Sequence, residues 1–125
     1  MQFTEQRFDN ALLFKVSGRI DRDTADEFMT TLQPHLERCR LDGEVLILDF
    51  SDLQYISSLG LQVLVLAQRK AKTQNGSFGV AALQPTVKSV FDVANFAGVI
   101  RCHDSVEKAL AVMSHSAHAA YTQGK

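Results

Sequence analysis

The chain has 125 residues and a formal net charge of −1, with 13 basic and 14 acidic residues. This length suits one domain, and a hydrophobic content of 46% is enough for a core that needs no metal ion or disulfide framework. The balanced charge gives no basic field for nucleic acid, and no apolar run is long enough to span a bilayer. We therefore expect no nucleic-acid partner and no membrane insertion.

The N-terminus and the cysteines indicate a cytoplasmic protein. The first ten residues, MQFTEQRFDN, lack the apolar segment of a secretory signal. Cys39 and Cys102 do not make a disulfide framework, so we expect buried free thiols in a reducing cytosol.

The first part of the chain predicts two strands and a helix. The stretch QFTEQRFDNALLFKVSGRI has the alternating pattern of two short strands joined by a turn at Asp9-Asn10. The next stretch, DRDTADEFMTTLQPHLERCR, predicts a helix that Asp23 or Thr24 can cap, because a short oxygen side chain satisfies free N–H groups. Pro34 predicts a kink or a break near residues 30 to 34, since proline removes a backbone hydrogen bond.

The rest of the chain alternates between short apolar segments and helical ones. EVLILDF and SFGVAAL predict strands, and residues 58 to 74 between them predict a helix. Pro85 opens a helix that runs to about Asn95, and GVIRC predicts the last strand. Asp104 and Glu107 have capping-box spacing at the start of a final helix.

This order of elements predicts an α/β fold. Because strands separated by helices pair in parallel, we expect a mixed, mainly parallel β-sheet of about four to five strands, with about four α-helices packed on it. The first two strands are expected to form an antiparallel or mixed edge. Residues 1–115 are expected to form the domain, and the small, polar segment 116–125 a disordered C-terminal tail.

Two serines stand where a strand gives way to a helix, in the stretch QYISSLGLQVLVL over residues 54 to 66. On a helical wheel Ser57 projects toward the packed side, near Leu64, whereas Ser58 projects toward solvent, near Arg69. We therefore expect Ser57 to be the helix N-cap and Ser58 to offer its hydroxyl outward from the first turn.

The exposed serine has two interpretations. Capping alone explains serine pairs at many helix starts. Alternatively, a phosphate on Ser58 would add roughly −1.5 to −2 charge at a helix N-terminus, whose free N–H groups accept an anion. That charge would lie beside Leu61 and Val65, which the wheel predicts as partly exposed, and would change the affinity for a partner without unfolding the domain.

Four stretches of the chain resemble one known family. VLILDFSDLQYISSLGLQVL resembles the signature of STAS domains, the fold of anti-sigma factor antagonists and of sulfate-transporter tails. VSGRIDRDTADEF is similar to that family's second strand and first helix start, PTVKSVFDVANFAGVI to its third helix, and DSVEKAL to its final helix. The resemblance runs from about Phe3 to Met113, and the small single-domain antagonists match best.

This resemblance implies a partner switch controlled by phosphorylation. In the antagonists, the second residue of an Asp/Ser-Ser pair, here Ser58, is phosphorylated by an anti-sigma factor that is also a serine kinase. The unphosphorylated antagonist binds this kinase and frees a sigma factor, the phosphorylated form lets go, and a PP2C-type phosphatase resets the switch. Asp21 falls at an aspartate that lies beside this serine in the family, where it could help dock the kinase and would repel the phosphate.

Two residues depart from the family pattern. Ser57 stands where the best-known antagonists carry aspartate, although serine occurs there in relatives, and Leu59 stands where a small serine or alanine is usual. A bulky Leu59 could narrow access for the kinase. It favours the alternative that the chain is a STAS adaptor, never phosphorylated, in a larger transporter or stress-sensing complex.

The predicted partner-binding surface combines the loop before the first helix with the outer side of the second. No cofactor is expected there. The surface consists of Asp21, Thr24, Ser58, Leu59, Leu61, Gln62, Val65 and Arg69.

No other pattern predicts a metal ion or catalysis. His115 and His118 have i, i+3 spacing but lie at the predicted tail without the companion ligands of a metal site. The chain has no phosphate-binding glycine loop and no nucleophile elbow, so we expect no enzyme. A small enzyme of unknown class would need turnover that depends on Asp21 or Cys102.

Overall fold

The computed structural model describes residues 1–123, which form a six-stranded sheet with helices on both faces. A 3-10 turn, Phe96–Gly98, precedes the last strand. The strands are β1 Gln2–Phe8, β2 Ala11–Ile20, β3 Val45–Asp49, β4 Leu53–Ile56, β5 Phe78–Ala81 and β6 Cys102–His103. The helices are α1 Ala25–Arg38, α2 Ser58–Thr73, α3 Pro85–Val93, α4 Val106–Met113 and α5 His115–Gln123.

The sheet is mixed and mainly parallel. Its strands run in the order β1-β2-β3-β5-β6, and β4 pairs with the C-terminal end of β2. Only β1 is antiparallel to its neighbour among the strands described, so the α/β class and the antiparallel edge are confirmed. Between the first and second helices the sequence predicted one strand, whereas the structure has two, β3 and β4, separated by a turn at Ser51-Asp52.

Each face of the sheet carries its own apolar core. Helices α1, α2 and α3 cover one face, where Phe14, Phe28 and Phe91 are buried. Helices α4 and α5 cover the other face, where Leu13 and Leu110 are buried. Because the first half of β2 and most of β3 are covered on both sides, residues 11–14 and 45–48 form continuous buried runs. None of the helices described is both long and apolar enough to cross a membrane.

Helix α1 continues through Pro34, so the predicted break does not occur. Pro34 removes the hydrogen bond to the carbonyl of Thr30, and both residues are exposed. Water can therefore satisfy that carbonyl, and the packed side of the helix is unaffected.

Helix α5 occupies most of the segment that the sequence predicted as a disordered tail, so that prediction is wrong for residues 116–123. Ala117 is fully buried, and the ring of Tyr121 packs edge-on against Phe8 with the centroids 5.2 Å apart. The small residues of this segment thus allow close packing on the sheet. Residues 124 and 125 of the predicted tail lie outside the described residues.

The two cysteines are free thiols in different surroundings. Cys39 is buried, its Sγ donates to the carbonyl of Ser77 at 3.2 Å, and burial raises its pKa to about 11. Cys102 is exposed in β6, contrary to the expectation that both thiols are buried. The edge position of β6 explains the difference, since no strand covers its outer side among the residues described.

Gly60 lets α2 lie unusually close to the sheet at its first turn. A Cβ atom added to Gly60 would lie 2.7 Å from Cγ2 of Ile20 and 2.7 Å from Cγ1 of Ile56. Both isoleucines are buried at the paired ends of β2 and β4, so neither can move without disturbing the core. The start of α2 is therefore fixed against these two strand ends.

We expect Gly60→Ala to lower the free energy of unfolding by about 1–2 kcal/mol, because overpacking outweighs the gain in helix propensity. Urea unfolding measures the change. Gly98→Ala is the matched control, since a Cβ there meets nothing within 4 Å. Equal stability of both variants would contradict the close contact.

His35 is a buried histidine, 7% exposed, that joins α1 to the first strands. Nη2 of Arg38 donates to its Nδ1 at 2.8 Å, because a guanidinium can only donate. Nε2 then faces a carboxylate oxygen of Glu5 at 3.5 Å, and the ring lies 5.1 Å from that of Phe14. Burial lowers the pKa of His35 against the opposing effect of Glu5, so the folded protein holds a neutral imidazole.

We expect the free energy of unfolding to fall as the pH drops below about 7. The unfolded chain takes up a proton on His35 near pH ~6.5, whereas the folded chain takes it up only at lower pH. Burial also lowers the pKa of His103, which contributes with the same sign, so His35→Gln should remove only part of the dependence. Urea unfolding near pH ~7.5 and ~5.5 tests this. An unchanged pH dependence in the variant would contradict the neutral, buried state.

Candidate functional site

The two serines at the start of α2 have different environments. Ser57 has extended backbone, its N–H donates to the carbonyl of Ile20 at 2.7 Å, and its Oγ accepts from the N–H of Gly60 at 3.2 Å. Ser57 is therefore the N-cap and links the helix to the sheet. Ser58 is the first helical residue; it is exposed, and its hydroxyl makes no hydrogen bond to the described residues.

The loop between β2 and α1 lies against this helix start, because β4 runs beside the end of β2. Oδ1 of Asp21 accepts from the N–H groups of Asp23 at 3.0 Å and of Thr24 at 3.1 Å. The hydroxyl of Thr24 is also 3.1 Å from Oδ1, and this interaction is the main cause that lowers the pKa of Asp21. The Asp21 carboxylate is thus ionised and engaged in holding its own loop.

Thr24 occupies the N-cap position of α1, but its side chain does not cap the helix. Its Oγ1 accepts from the N–H of Asp21 at 2.9 Å and lies 3.0 Å from the carbonyl of Arg19. Thr24 is thus at the predicted N-cap position, but the predicted hydrogen bond from the side chain of Asp23 or Thr24 to a helical N–H is absent among the described residues. Asp21 supplies the oxygen that satisfies the N–H groups of Asp23 and Thr24. The Thr24 hydroxyl shares its one proton between Oδ1 of Asp21 and the carbonyl of Arg19, which links the loop to β2.

An open depression of ≈ 500 Å³ brings the loop and the helix start together. The guanidinium of Arg19 lies over the ring of Tyr55, 4.5 Å from its centroid. The sequence prediction missed Arg19, Arg22 and Tyr55, which flank the predicted residues but belong to no periodic pattern. The depression is lined by Arg19, Asp21, Arg22, Tyr55, Ser57, Ser58 and Leu59.

The outer face of α2 continues from this depression. Gln62 and Arg69 are exposed, and Val65 is half-buried. Leu59 is 37% exposed and Leu66, which the sequence prediction missed, is 52% exposed. These five residues form a continuous strip of mixed polar and apolar side chains on α2, which begins next to Ser58.

Leu61 does not belong to this strip. The sequence predicted it as partly exposed, but it is 7% exposed and part of the core. Helix α1 packs against α2, so the buried arc of α2 is wider than the stripe that faces the sheet. A wheel drawn for α2 alone does not include this neighbour.

The charges around Ser58 favour an anion. Two of the lining residues, Arg19 and Arg22, are cationic, and Asp21 is the acidic one. The first turn of α2 contains no acidic residue, so its free N–H groups and partial positive charge are not neutralised there. Among the described residues, no group of three or more His, Cys, Asp or Glu side chains is placed to hold a metal ion.

We expect Ser57→Ala to lower the free energy of unfolding by about 1 kcal/mol, because the N–H of Gly60 loses its acceptor. Ser58→Ala is the matched control and should change stability by less than about 0.5 kcal/mol, since the residue is exposed. Urea unfolding of both variants separates the two roles. A larger loss for Ser58→Ala than for Ser57→Ala would contradict the assignment.

Comparison with known proteins identifies the family. BtrV of Bordetella bronchiseptica, provisionally named an anti-sigma factor antagonist, is 28% identical over 112 residues, which cover 89% of this chain and 93% of BtrV. A solved anti-sigma factor antagonist from Mycobacterium paratuberculosis has a TM-score of 0.80 at 20% identity, over 90% of this chain and 92% of that chain. The Bacillus cell fate determinant SpoIIAA in its phosphorylated form has a TM-score of 0.65 at 14% identity, over 89% and 98%. The sequence model of the STAS domain matches residues 2–109, and the chain therefore belongs to the STAS domain family.

Proposed function

We propose that the protein is an anti-sigma factor antagonist, a cytoplasmic partner switch without enzymatic activity, in which Ser58 accepts a phosphate. The observation that carries this proposal is the free, exposed hydroxyl of Ser58 at the start of α2, between an open depression and a surface strip. Two relatives support it: BtrV is named for this function, and SpoIIAA has been solved in a phosphorylated form.

The two serines differ in their suitability for phosphorylation. Ser57 is half-buried, and its Oγ accepts from the N–H of Gly60, so a phosphate there would break the cap. The Oγ of Ser58 has no such role, and its side chain is open to a kinase. Leu59 borders the depression as an exposed apolar side chain. A partner could therefore make an apolar contact with Leu59 beside the Ser58 hydroxyl.

The proposed partner is an anti-sigma factor that is also a serine kinase. It would bind the depression and the strip on α2, with Leu59, Gln62 and Leu66 in contact. A phosphate on Ser58 brings roughly −1.5 to −2 charge to the edge of this surface, and burying that charge against the partner costs free energy. The phosphorylated protein would then dissociate, and a PP2C-type phosphatase would restore the binding form.

We expect Ser58→Ala to bind the serine kinase encoded nearest to this gene as tightly as the wild type does, and to resist phosphorylation. Ser58→Glu should bind at least ~10-fold more weakly, because its carboxylate lies in the contact surface. Calorimetric titration of the purified kinase measures both affinities.

Ser89→Glu is the matched control, because Ser89 is exposed on α3 outside the proposed surface, and it should bind as the wild type does. Equal affinities for the wild type, Ser58→Ala and Ser58→Glu would contradict the switch. They would favour the alternative of a STAS adaptor that is never phosphorylated.

A further inference from the structure

We propose that Arg19 and Arg22 form a binding site for the phosphate on phosphorylated Ser58, and hold it against the loop between β2 and α1. This inference rests on the proposed phosphorylation of Ser58. It concerns what the phosphate contacts once it is attached, which neither the family nor the proposed function determines.

The strand register brings the two arginines to Ser58. Arg19 pairs with Tyr55 across β2 and β4, and the N–H of Ser57 donates to the carbonyl of Ile20 at 2.7 Å. The chain from Arg19 to Arg22 therefore leaves the sheet beside the chain that enters α2. Both arginines and Ser58 line the same depression of ≈ 500 Å³, which is large enough to admit a phosphate.

Both guanidinium groups are available. Neither Arg19 nor Arg22 forms an ion pair with any residue that the structure describes. Arg19 instead rests over the ring of Tyr55, which holds its planar group at the depression. A phosphate attracts a guanidinium more strongly than an aromatic face does, because it accepts two parallel, charge-assisted hydrogen bonds.

The acidic group in the depression does not cancel this attraction. Oδ1 of Asp21 is occupied by the N–H groups of Asp23 and Thr24 and by the Thr24 hydroxyl. These bonds, with a smaller contribution from the positive charge of Arg19, lower the pKa of Asp21. The charge of Asp21 therefore stays constant over the pH range in which a phosphate monoester loses its second proton. Asp23 is exposed in the same loop, outside the depression. The two guanidinium groups therefore outnumber the one lining carboxylate.

The test uses protein in which phosphoserine is inserted at position 58 during translation, so that no kinase is required. Titration by ³¹P NMR gives the second pKa of the phosphate, which is about 6 for a free phosphoserine. We expect this pKa to be lower in the wild type than in Arg19→Gln/Arg22→Gln by about 0.5 units or more, because nearby cations favour the dianion. Arg22→Gln alone should raise the second pKa above that of the wild type by a smaller amount than the double variant does. This single variant leaves the contact between Arg19 and Tyr55 intact.

Arg40→Gln/Arg101→Gln is the matched control, since it removes two exposed arginines that do not line the depression. Its second pKa should equal that of the wild type within about 0.2 units, because solvent and salt screen distant charges. Equal pKa values for the wild type, Arg22→Gln and Arg19→Gln/Arg22→Gln would overturn the site and leave the proposed switch untouched. If the second pKa of the phosphate is lower in the wild type than in Arg19→Gln/Arg22→Gln, the site is supported. If, in addition, the wild type, Ser58→Ala and Ser58→Glu bind the kinase equally, the site stands and the switch is overturned.

Discussion

The close contact between Gly60 and the paired ends of β2 and β4 is the constraint on which the site depends. Because Ile20 and Ile56 leave no room for a side chain at Gly60, the first turn of α2 lies directly on the sheet. The backbone of Ser57 is held by the carbonyl of Ile20 at the same place. These contacts fix the rotation of α2 about its axis, and that rotation directs Ser58 into solvent.

The same contacts place two kinds of polar group side by side. The Oγ of Ser57 accepts from a backbone N–H at the start of α2. Oδ1 of Asp21 accepts from backbone N–H groups in the loop before α1. Ser58, Arg19 and Arg22 line the depression, where the Ser58 hydroxyl makes no hydrogen bond and neither arginine forms an ion pair with the described residues. The residues that build the site are therefore distinct from those that are free to react, so a change of charge at Ser58 can alter binding while the fold persists.

The sequence correctly predicted the features that depend on local periodicity. Its predictions were wrong or incomplete where contacts with an element distant in sequence determine the position of a residue. The helical wheel placed Ser57 and Ser58 on different sides of α2 because that difference depends only on 100° steps. It misplaced Leu61, which is part of the core, because a wheel for α2 alone does not include the helix that packs against it. It missed Arg19 and Tyr55 because only the pairing of β2 with β4 brings them to the site. Helix α5 was missed because its apolar contacts come from the first hairpin, and its own composition is small and polar.

The proposed switch requires that Ser58 carries a phosphate in the cell. The most direct test is the intact mass of the protein isolated from its own cells, with peptide mapping, beside a Ser58→Ala variant expressed in the same way. We expect one phosphate that maps to Ser58 in part of the wild-type protein and is absent from the variant. A wild-type protein that carries no phosphate under any growth condition, or one phosphorylated only at another residue, would contradict it.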